Sequence, residues 1–326
     1  RVIAQALREL IFESSNIFIM GHKNPDMDSL GASIGLWSSI RQLGKNCNII
    51  IDNDITAIDY YMTKLKKDDK YDNLFISSEE AEKNINDKTL LIIVDVHNKG
   101  YVNNFGITEK INRKIIIDHH RRSPDIIEGA LLNYIEVYAS STSELVTELI
   151  QYMLQKPRIS KVEAEGLLGG IFMDTKGFQF KSGVRTFDAA AFLRSLGADT
   201  IEVKKMFTDS LADYLLISET IKSAEVYENL AIAVCPSEVN NTVIVARAAD
   251  ELLGISGIDV CFVLCEISNS ITISGRSTGE VNVQVILEEL GGGDHMNMAG
   301  AKLECTIDEA VNLLKEAINK HLEIKE

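Results

Sequence analysis

The sequence predicts an α/β fold in two domains: a mostly parallel sheet with flanking helices, then a linker helix, then a smaller α+β domain. Three observations carry this expectation. At 326 residues the chain is long for one simple domain and comfortable for two. Its first half alternates short β-rich runs with helical patterns, the signature of strands joined by crossover helices. Beyond Thr186 this alternation gives way to a long helical stretch and then to a strand-rich remainder. The expected boundaries are 1–210, 211–228 for the linker helix, and 229–326.

The elements follow from local pattern. Val2, Ile3, Ala6, Leu7, Leu10 and Ile11 recur at helical spacing from the first residues. Strands are expected at Asn16 to Met20, Asn48 to Ile51, Leu90 to Val94 and Lys114 to Ile117. Helices are expected over Ser29 to Leu43, Ser143 to Leu154 and Ser160 to Met173. The long helical stretch breaks at Gly197 and resumes to Val226. The last part should hold strands at Leu230 to Cys235, Val243 to Ala246, Asp259 to Ile267 and Ser270 to Gly275, a Gly-rich segment at 291–293, and a helix from Asp308. That is a unit of about 100 residues, an ordinary domain size.

Composition narrows the function classes. With 45% hydrophobic and 25% charged residues, and no apolar run of spanning length, the chain reads as an ordinary globular one. A net charge of -15 repels polyanions, which argues against long nucleic acid as a partner. Cys47, Cys235 and Cys305 stand apart, and Cys261 with Cys265 fits two thiols buried on one strand face in a reducing compartment. The start at Arg1, without initiator Met or signal pattern, suggests a segment of a longer protein.

Four segments carry chemistry. His22-Lys-Asn-Pro-Asp26-Met-Asp28 follows the first strand, and its turn at Pro25 can fold one imidazole and two carboxylates onto one point. The alternative is that Asp26 or Asp28 caps the following helix. Asp95 ends a buried strand, a costly place for an acid unless it is solvated, capping or metal-bound. Asp118-His119-His120 ends another, and adjacent histidines on an extended backbone should point to opposite sides and do different jobs. Asp174 ends an apolar helix after Gly169 and Gly170, or is an ordinary surface acid. Of six histidines, four (His22, His97, His119, His120) lie at the ends of strands. Carboxylate and imidazole ligands without thiolate suit an ion such as Mn(II), and this many ligands suffice for two ions about 3.5 to 4 Å apart that share a carboxylate and a bridging hydroxide. In the second domain, Ser274-Gly-Arg276-Ser277 and Gly291-Gly292-Gly293-Asp294-His295 could cradle a phosphate through backbone amides and an arginine fork, or form a turn beside a solvated arginine.

The order His-x3-Asp-x-Asp, strand-end Asp, Asp-His-His, Asp resembles the motifs of the DHH phosphoesterase superfamily, and the paired glycine and arginine segments resemble its DHHA1 domain. The resemblance implies that His22, Asp26 and Asp95 hold one Mn2+ while Asp28, Asp95, His119 and Asp174 hold a second, with Mg2+ or Co2+ as substitutes. It further implies that His120 contacts the scissile phosphate or protonates the leaving oxygen, that Asp118 orients the histidines, and that Arg276, Ser277, Gly291, Gly292, Gly293 and His295 bind the nucleotide end of the substrate. His97 receives no role from it and reads as a local hydrogen-bonding residue. Asp95-Val-His-Asn, Tyr138-Ala-Ser-Ser-Thr-Ser-Glu144 and Met173-Asp-Thr-Lys-Gly-Phe178 make the chain most similar to the catalytic portion of GdpP/YybT-type cyclic di-AMP phosphodiesterases. Asp294 departs from that pattern, which more often has a fourth glycine there.

The resemblance therefore implies hydrolysis of cyclic di-AMP to linear pApA through a metal-bridging hydroxide. It also implies a cytoplasm-facing part of a membrane-anchored bacterial protein, preceded by membrane, PAS and GGDEF regions, with homodimerisation left open. Two rivals share the same motifs: a nanoRNase and pAp phosphatase acting on pApA and short oligoribonucleotides, and a catalytically dead cyclic dinucleotide sensor.

Overall fold

Apolar runs in the first half become neighbouring strands, as seen in a computed structural model that describes residues 1–52, 58–122, 124–208 and 210–322, apart from the side chains of Asp294 and His295. The chain divides into two units, Arg1–Thr208 and Asp209–Glu326.

In the first unit, β1 (Asn16–Met20), β2 (Cys47–Ile50), β3 (Phe75–Ile76), β4 (Thr89–Val94), β5 (Arg113–Asp118) and β6 (Leu132–Ile135) form one parallel sheet in the order β3-β2-β1-β4-β5-β6. Around it run α1 (Val2–Glu13), α2 (Met27–Gln42), α3 (Asp59–Leu65), α4 (Ser78–Glu82), α5 (Phe105–Lys110), α6 (Thr142–Met153), α7 (Lys161–Asp174), α8 (Val184–Ser195) and α9 (Thr200–Lys205). The central strands are apolar throughout because both faces are covered. Ile17, Ile19, Leu90, Ile92, Ile115 and Ile117 pack with Leu30, Ile34, Leu145 and Leu167 on one side. Phe18, Met20, Leu91, Ile93 and Ile116 pack with Ala81 and Ile107 on the other. Each such side chain contributes about 1.5–3 kcal/mol on burial.

Strand order fixes where a ligand can sit. From β1 the chain winds outward through β2 to β3 on one side and returns through β4 to β6 on the other, so β1 and β4 flank the topological switch point. Beyond the carboxyl ends of two such strands the connecting loops diverge and leave a crevice. Asp26 and Asp28 follow β1 and Asp95 follows β4 at that place.

Sequence pattern missed the edges of the sheet. The two-residue β3 and the half-exposed β6 are too short or too mixed to show a period. The long helical stretch after Thr186 is three helices, α8, α9 and α10 (Leu211–Lys222), with β7 (Glu225–Tyr227) beginning before Val226.

The second unit adds β8 (Leu230–Val234), α11 (Thr242–Leu253), β9 (Val260–Ile267), β10 (Ser270–Ser277), α12 (Val283–Glu288), β11 (Gly293–His295), β12 (Met298–Leu303) and α13 (Ile307–His321). Its sheet runs β11-β12-β10-β9-β8-β7, parallel only between β8 and β9 among the described residues. The expected strand at Val243 to Ala246 is instead the first turn of α11. Asn241 caps it by accepting from the Val243 amide, and Ile244, Val245, Ala248, Ala249 and Leu252 are buried at helical spacing. The long-period burial pattern outweighs the β preference of a Val-Ile-Val run. Ile217 of α10 joins that core, so the expected linker helix falls within the second unit. Cys261 and Cys265 are buried on the face of β9 that packs against α11.

Candidate metal centre and active site

Three strand ends and three helix ends build one constellation in the first unit. Asp26 caps α2, its Oδ1 accepting from the amides of Asp28 and Ser29 at 3.0 Å each. Its Oδ2 lies 3.4 Å from His22 Nε2, so the capping role of one oxygen leaves the other facing the imidazole. His22 Nε2 is also 3.4 Å from Asp95 Oδ2, which brings His22, Asp26 and Asp95 together. Asp95 itself is buried, and φ +61° turns the backbone sharply as it leaves β4. Such left-handed geometry is uncommon outside glycine, and here it aims a carboxylate back over the sheet end.

A second group gathers Asp28, His119 and Asp174. His119 Nε2 is 3.0 Å from Asp174 Oδ2, 3.6 Å from Asp95 Oδ1 and 3.8 Å from Asp28 Oδ2. Asp95 thus has an oxygen near each group. Helix ends hold the other carboxylates in place. Asp28 accepts from the amides of Thr142 and Ser143 at 2.7 and 2.8 Å, at the N-terminus of α6, where partial positive charge favours an anion. Thr142 Oγ1 donates to Asp95 Oδ1 at 3.0 Å. Asp174 arrives at the end of α7, which crosses α2 so closely that Cβ atoms are excluded: a methyl on Gly170 would lie 2.2 Å from Ser143 Oγ, and one on Gly31 2.3 Å from the carbonyl oxygen of Gly166.

The expectation for the two histidines needs correction. Strand β5 ends at Asp118 and the chain bends, so the rings of His119 and His120 lie 4.4 Å apart instead of on opposite faces. His120 Nδ1 is 3.7 Å from the same Asp95 oxygen. They still differ in setting, since His119 is buried among carboxylates while the His120 side chain is 43% exposed. His97, expected to be a local hydrogen-bonding residue, does form a hydrogen bond, to a residue distant in sequence. Its Nδ1 meets Asp118 Oδ2 on the neighbouring strand at 2.5 Å.

The electrostatics are those of a cation site. Burial, then Asp28, Asp26, Asp174 and Asp118, push the Asp95 carboxyl well above the usual range. Burial and then Asp174 raise Asp28 to about 6. Burial opposes charge on His119, yet Asp174, Asp28 and Asp118 together raise its imidazole to about 9. His22 is also raised by Asp26 against the opposing effect of burial, and Asp26 is lowered by His22 although burial acts upward. Both ring nitrogens of His119 are buried with no partner in hydrogen-bonding geometry, although three carboxylates surround Nε2. Orphaned nitrogens of this kind are rare unless another atom completes their coordination. Carboxylate oxygens and imidazole nitrogens without sulfur fit a hard or borderline divalent ion.

Two family profiles match the chain: "DHH family, N-terminal domain" over residues 16–171 and "DHHA1 domain" over residues 228–322. The chain belongs to the DHH family, with a DHHA1 domain in its second unit. It is 43% identical over 99% of its length to the cyclic-di-AMP phosphodiesterase GdpP of Bacillus subtilis, and 40% identical over 98% to the cyclic-di-AMP phosphodiesterase PdeA of Listeria monocytogenes. It spans about half the length of each, 50% in both cases. An exopolyphosphatase-related protein from Bacteroides fragilis shares the fold, with a TM-score of 0.85 at 24% identity over 98% of this chain and 96% of its own.

The DHHA1 unit places its expected residues differently from a free phosphate grip. Arg276 is buried, its Nε donating to Asp250 Oδ1 at 2.7 Å and one Nη to Ser274 Oγ and the Gly275 carbonyl at 2.9 and 3.0 Å. It is therefore not a solvated arginine. Ser277 is buried and its Oγ accepts from the Gly279 amide. Gly291 has φ +75°, and a Cβ on Gly292 would meet the Gly300 carbonyl at 2.2 Å, so both glycines serve the turn onto β12. Gly293 begins β11, while the side chain of His295 lies outside the described part. Thr142 and Ser143 had gone unassigned in the sequence. Their signal is the Tyr138 to Glu144 run that carries part of the family resemblance, with no indication of which acid it meets.

Proposed function

We propose that this chain is a two-metal phosphodiesterase that hydrolyses cyclic di-AMP to linear pApA. The observation that carries the reading is the cluster of carboxylate and imidazole groups gathered around Asp95 and His119 at the switch point of a DHH fold. Relatives named cyclic-di-AMP phosphodiesterases support the substrate. His22, Asp26 and Asp95 would hold one divalent ion, Mn2+ by donor chemistry, and Asp28, Asp95, His119 and Asp174 the other. When bound, such ions lower the pKa of water and neutralise phosphoryl oxygens.

The chain's own groups supply the rest. Water attacks one phosphorus in line, the bond to the 3'-oxygen breaks and the ring opens, while the water's proton leaves to solvent as the new phosphate monoester ionises. His120, half-exposed and held at Nδ1 by Asp118 Oδ1 at 2.7 Å, presents Nε2 to the departing oxygen; having taken a proton from solvent at Nε2, the imidazolium gives it to that oxygen and returns to the neutral Nδ1–H form. The buried amides at the start of α6 keep Asp28 aimed inward, and Asp118 keeps the His120 ring from turning. Arg276 and the Gly291 to Gly293 turn are assigned to the nucleotide end. Because the chain spans half the length of these relatives, we also infer a place for it on the cytoplasmic side of a membrane, beside an anchoring and sensory part.

Incubation with Mn2+ and a panel of cyclic and linear dinucleotides, followed by product analysis, tests the reading. Conversion of cyclic di-AMP to pApA, lost in His119→Ala, is expected. Faster turnover of pApA and short RNA than of cyclic di-AMP would favour the oligoribonuclease, and tight binding without turnover would favour the sensor.

A further inference from the structure

The carboxylate of Asp118 lies between two imidazoles. It is fully buried, and a buried carboxylate has about four acceptor positions that need donors. One oxygen, Oδ1, accepts from His120 Nδ1 at 2.7 Å and from the His120 amide at 3.1 Å. The other, Oδ2, meets His97 Nδ1 at 2.5 Å. An ionised carboxylate only accepts, so both rings must carry their proton on Nδ1. For a neutral His120 this leaves Nε2 as the outward atom, free of the tautomer ambiguity of an isolated imidazole.

His97 is held as firmly as the group it touches. It is buried, and its carbonyl accepts from the Ile127 amide at 2.8 Å. Two residues earlier the left-handed turn at Asp95 has redirected the chain, and the Asp95 amide donates to the Ile117 carbonyl on β5 at 2.9 Å. Strand β4 thus delivers Asp95 to the metal groups and His97 to the far side of Asp118 in one short segment. The side chain of Asp118 can turn about χ1 and χ2 if Oδ2 loses its donor. Rotation would carry Oδ1 away from His120 and release that ring.

We infer that His97 is a positioning residue: by holding Asp118 Oδ2, it fixes the Nδ1–H tautomer and the orientation of His120. The inference rests on the phosphodiesterase reading for its kinetic consequence, but its structural content does not. Removing an orienting partner of this kind typically costs about 10–100-fold in activity.

The test uses the whole chain and two readouts. Long-range nitrogen NMR of the metal-free protein at about pH 8.5, where an ordinary imidazole is neutral, reports the His120 tautomer. Wild type should show Nδ1–H. His97→Ala should shift His120 toward a mixture with Nε2–H, and His97→Asn, whose amide nitrogen can replace Nδ1, should restore it. With Mn2+ loaded to equal metal content, His97→Ala should lower kcat about 10–100-fold with KM changed less than about threefold. His97→Asn should recover most of the loss, and His97→Ala combined with His120→Ala should be no slower than His120→Ala alone. An unchanged His120 tautomer in His97→Ala would overturn the inference, as would a loss additive with that of His120→Ala or one explained by lower metal content. If wild type turns over no dinucleotide while the tautomer shift is seen, the positioning stands and the proposed reaction falls.

Discussion

At the scale of single residues, the metal-free site stores repulsion, and this gives it a definite pH response. Asp28 is raised to about 6, so the unfolded carboxyl ionises before the folded one as pH rises from its ordinary value near 3.8. Stability is lost across that interval. His119 is raised from 6.5 to about 9, so its contribution is fully present below 6.5 and is lost as pH rises through 9. Both signs agree: in EDTA the melting temperature should fall between about pH 4 and 9, and Mn2+ should restore more at pH 8 than at pH 5. Thermal melts across this range check it, and a melting temperature that climbs with pH in EDTA would contradict it. Thr142 offers a quieter test. Its hydroxyl donates to Asp95, so Thr142→Val should weaken divalent-ion binding about 10–100-fold by titration calorimetry while leaving the fold intact. The acids and histidines proposed as ligands stand out in the sequence because each follows a strand or ends a helix, and the fold brings them together. The roles of Thr142, Ser143 and His97 do not, because their partners lie 47, 115 and 21 residues away and only the packed fold reveals them.

At the scale of elements, the crossing of α2 and α7 decides how far apart Asp28 and Asp174 stand. Gly170 has no room for a methyl group, which would lie 2.2 Å from Ser143 Oγ and 2.7 Å from Asp28 Oδ1. Gly170→Ala should therefore separate the helices, destabilise the fold by about 1–3 kcal/mol and weaken ion binding together with stability. Gly183→Ala is the control, since that glycine has open space and an ordinary φ of -108°. Denaturant unfolding and calorimetry on both variants give the comparison, and equal effects would refute the packing argument. Elements were readable where burial imposed a long pattern, as in β4, β5 and α7. The edge strands β3 and β6 were unreadable because their residues are only half-covered. The start of α11 was misread because three β-branched residues obscured a helical stripe that becomes clear only over its full length.

At the scale of the whole molecule, the labour is divided between units with separate hydrophobic cores, and all six proposed ligands belong to the first. The net charge of -15 makes a local concentration of cations the natural way to admit an anionic substrate. Ion binding should then stabilise one unit and not the other. The single tryptophan, Trp37, is buried in α2 of the DHH unit, so its fluorescence reports that unit alone. Mn2+ at about a hundred times its dissociation constant adds about 2.7 kcal/mol to the state that binds it, which for a unit of this size corresponds to a rise of about 5–10 °C. The Trp37-detected melt should move up by that amount. Hydrogen exchange in β9 and β10, the middle of the DHHA1 sheet, should stay within error, because those strands carry none of the ligands. Equal protection of both sheets by Mn2+ would mean that the two units unfold as one, and the division of labour would have to be abandoned.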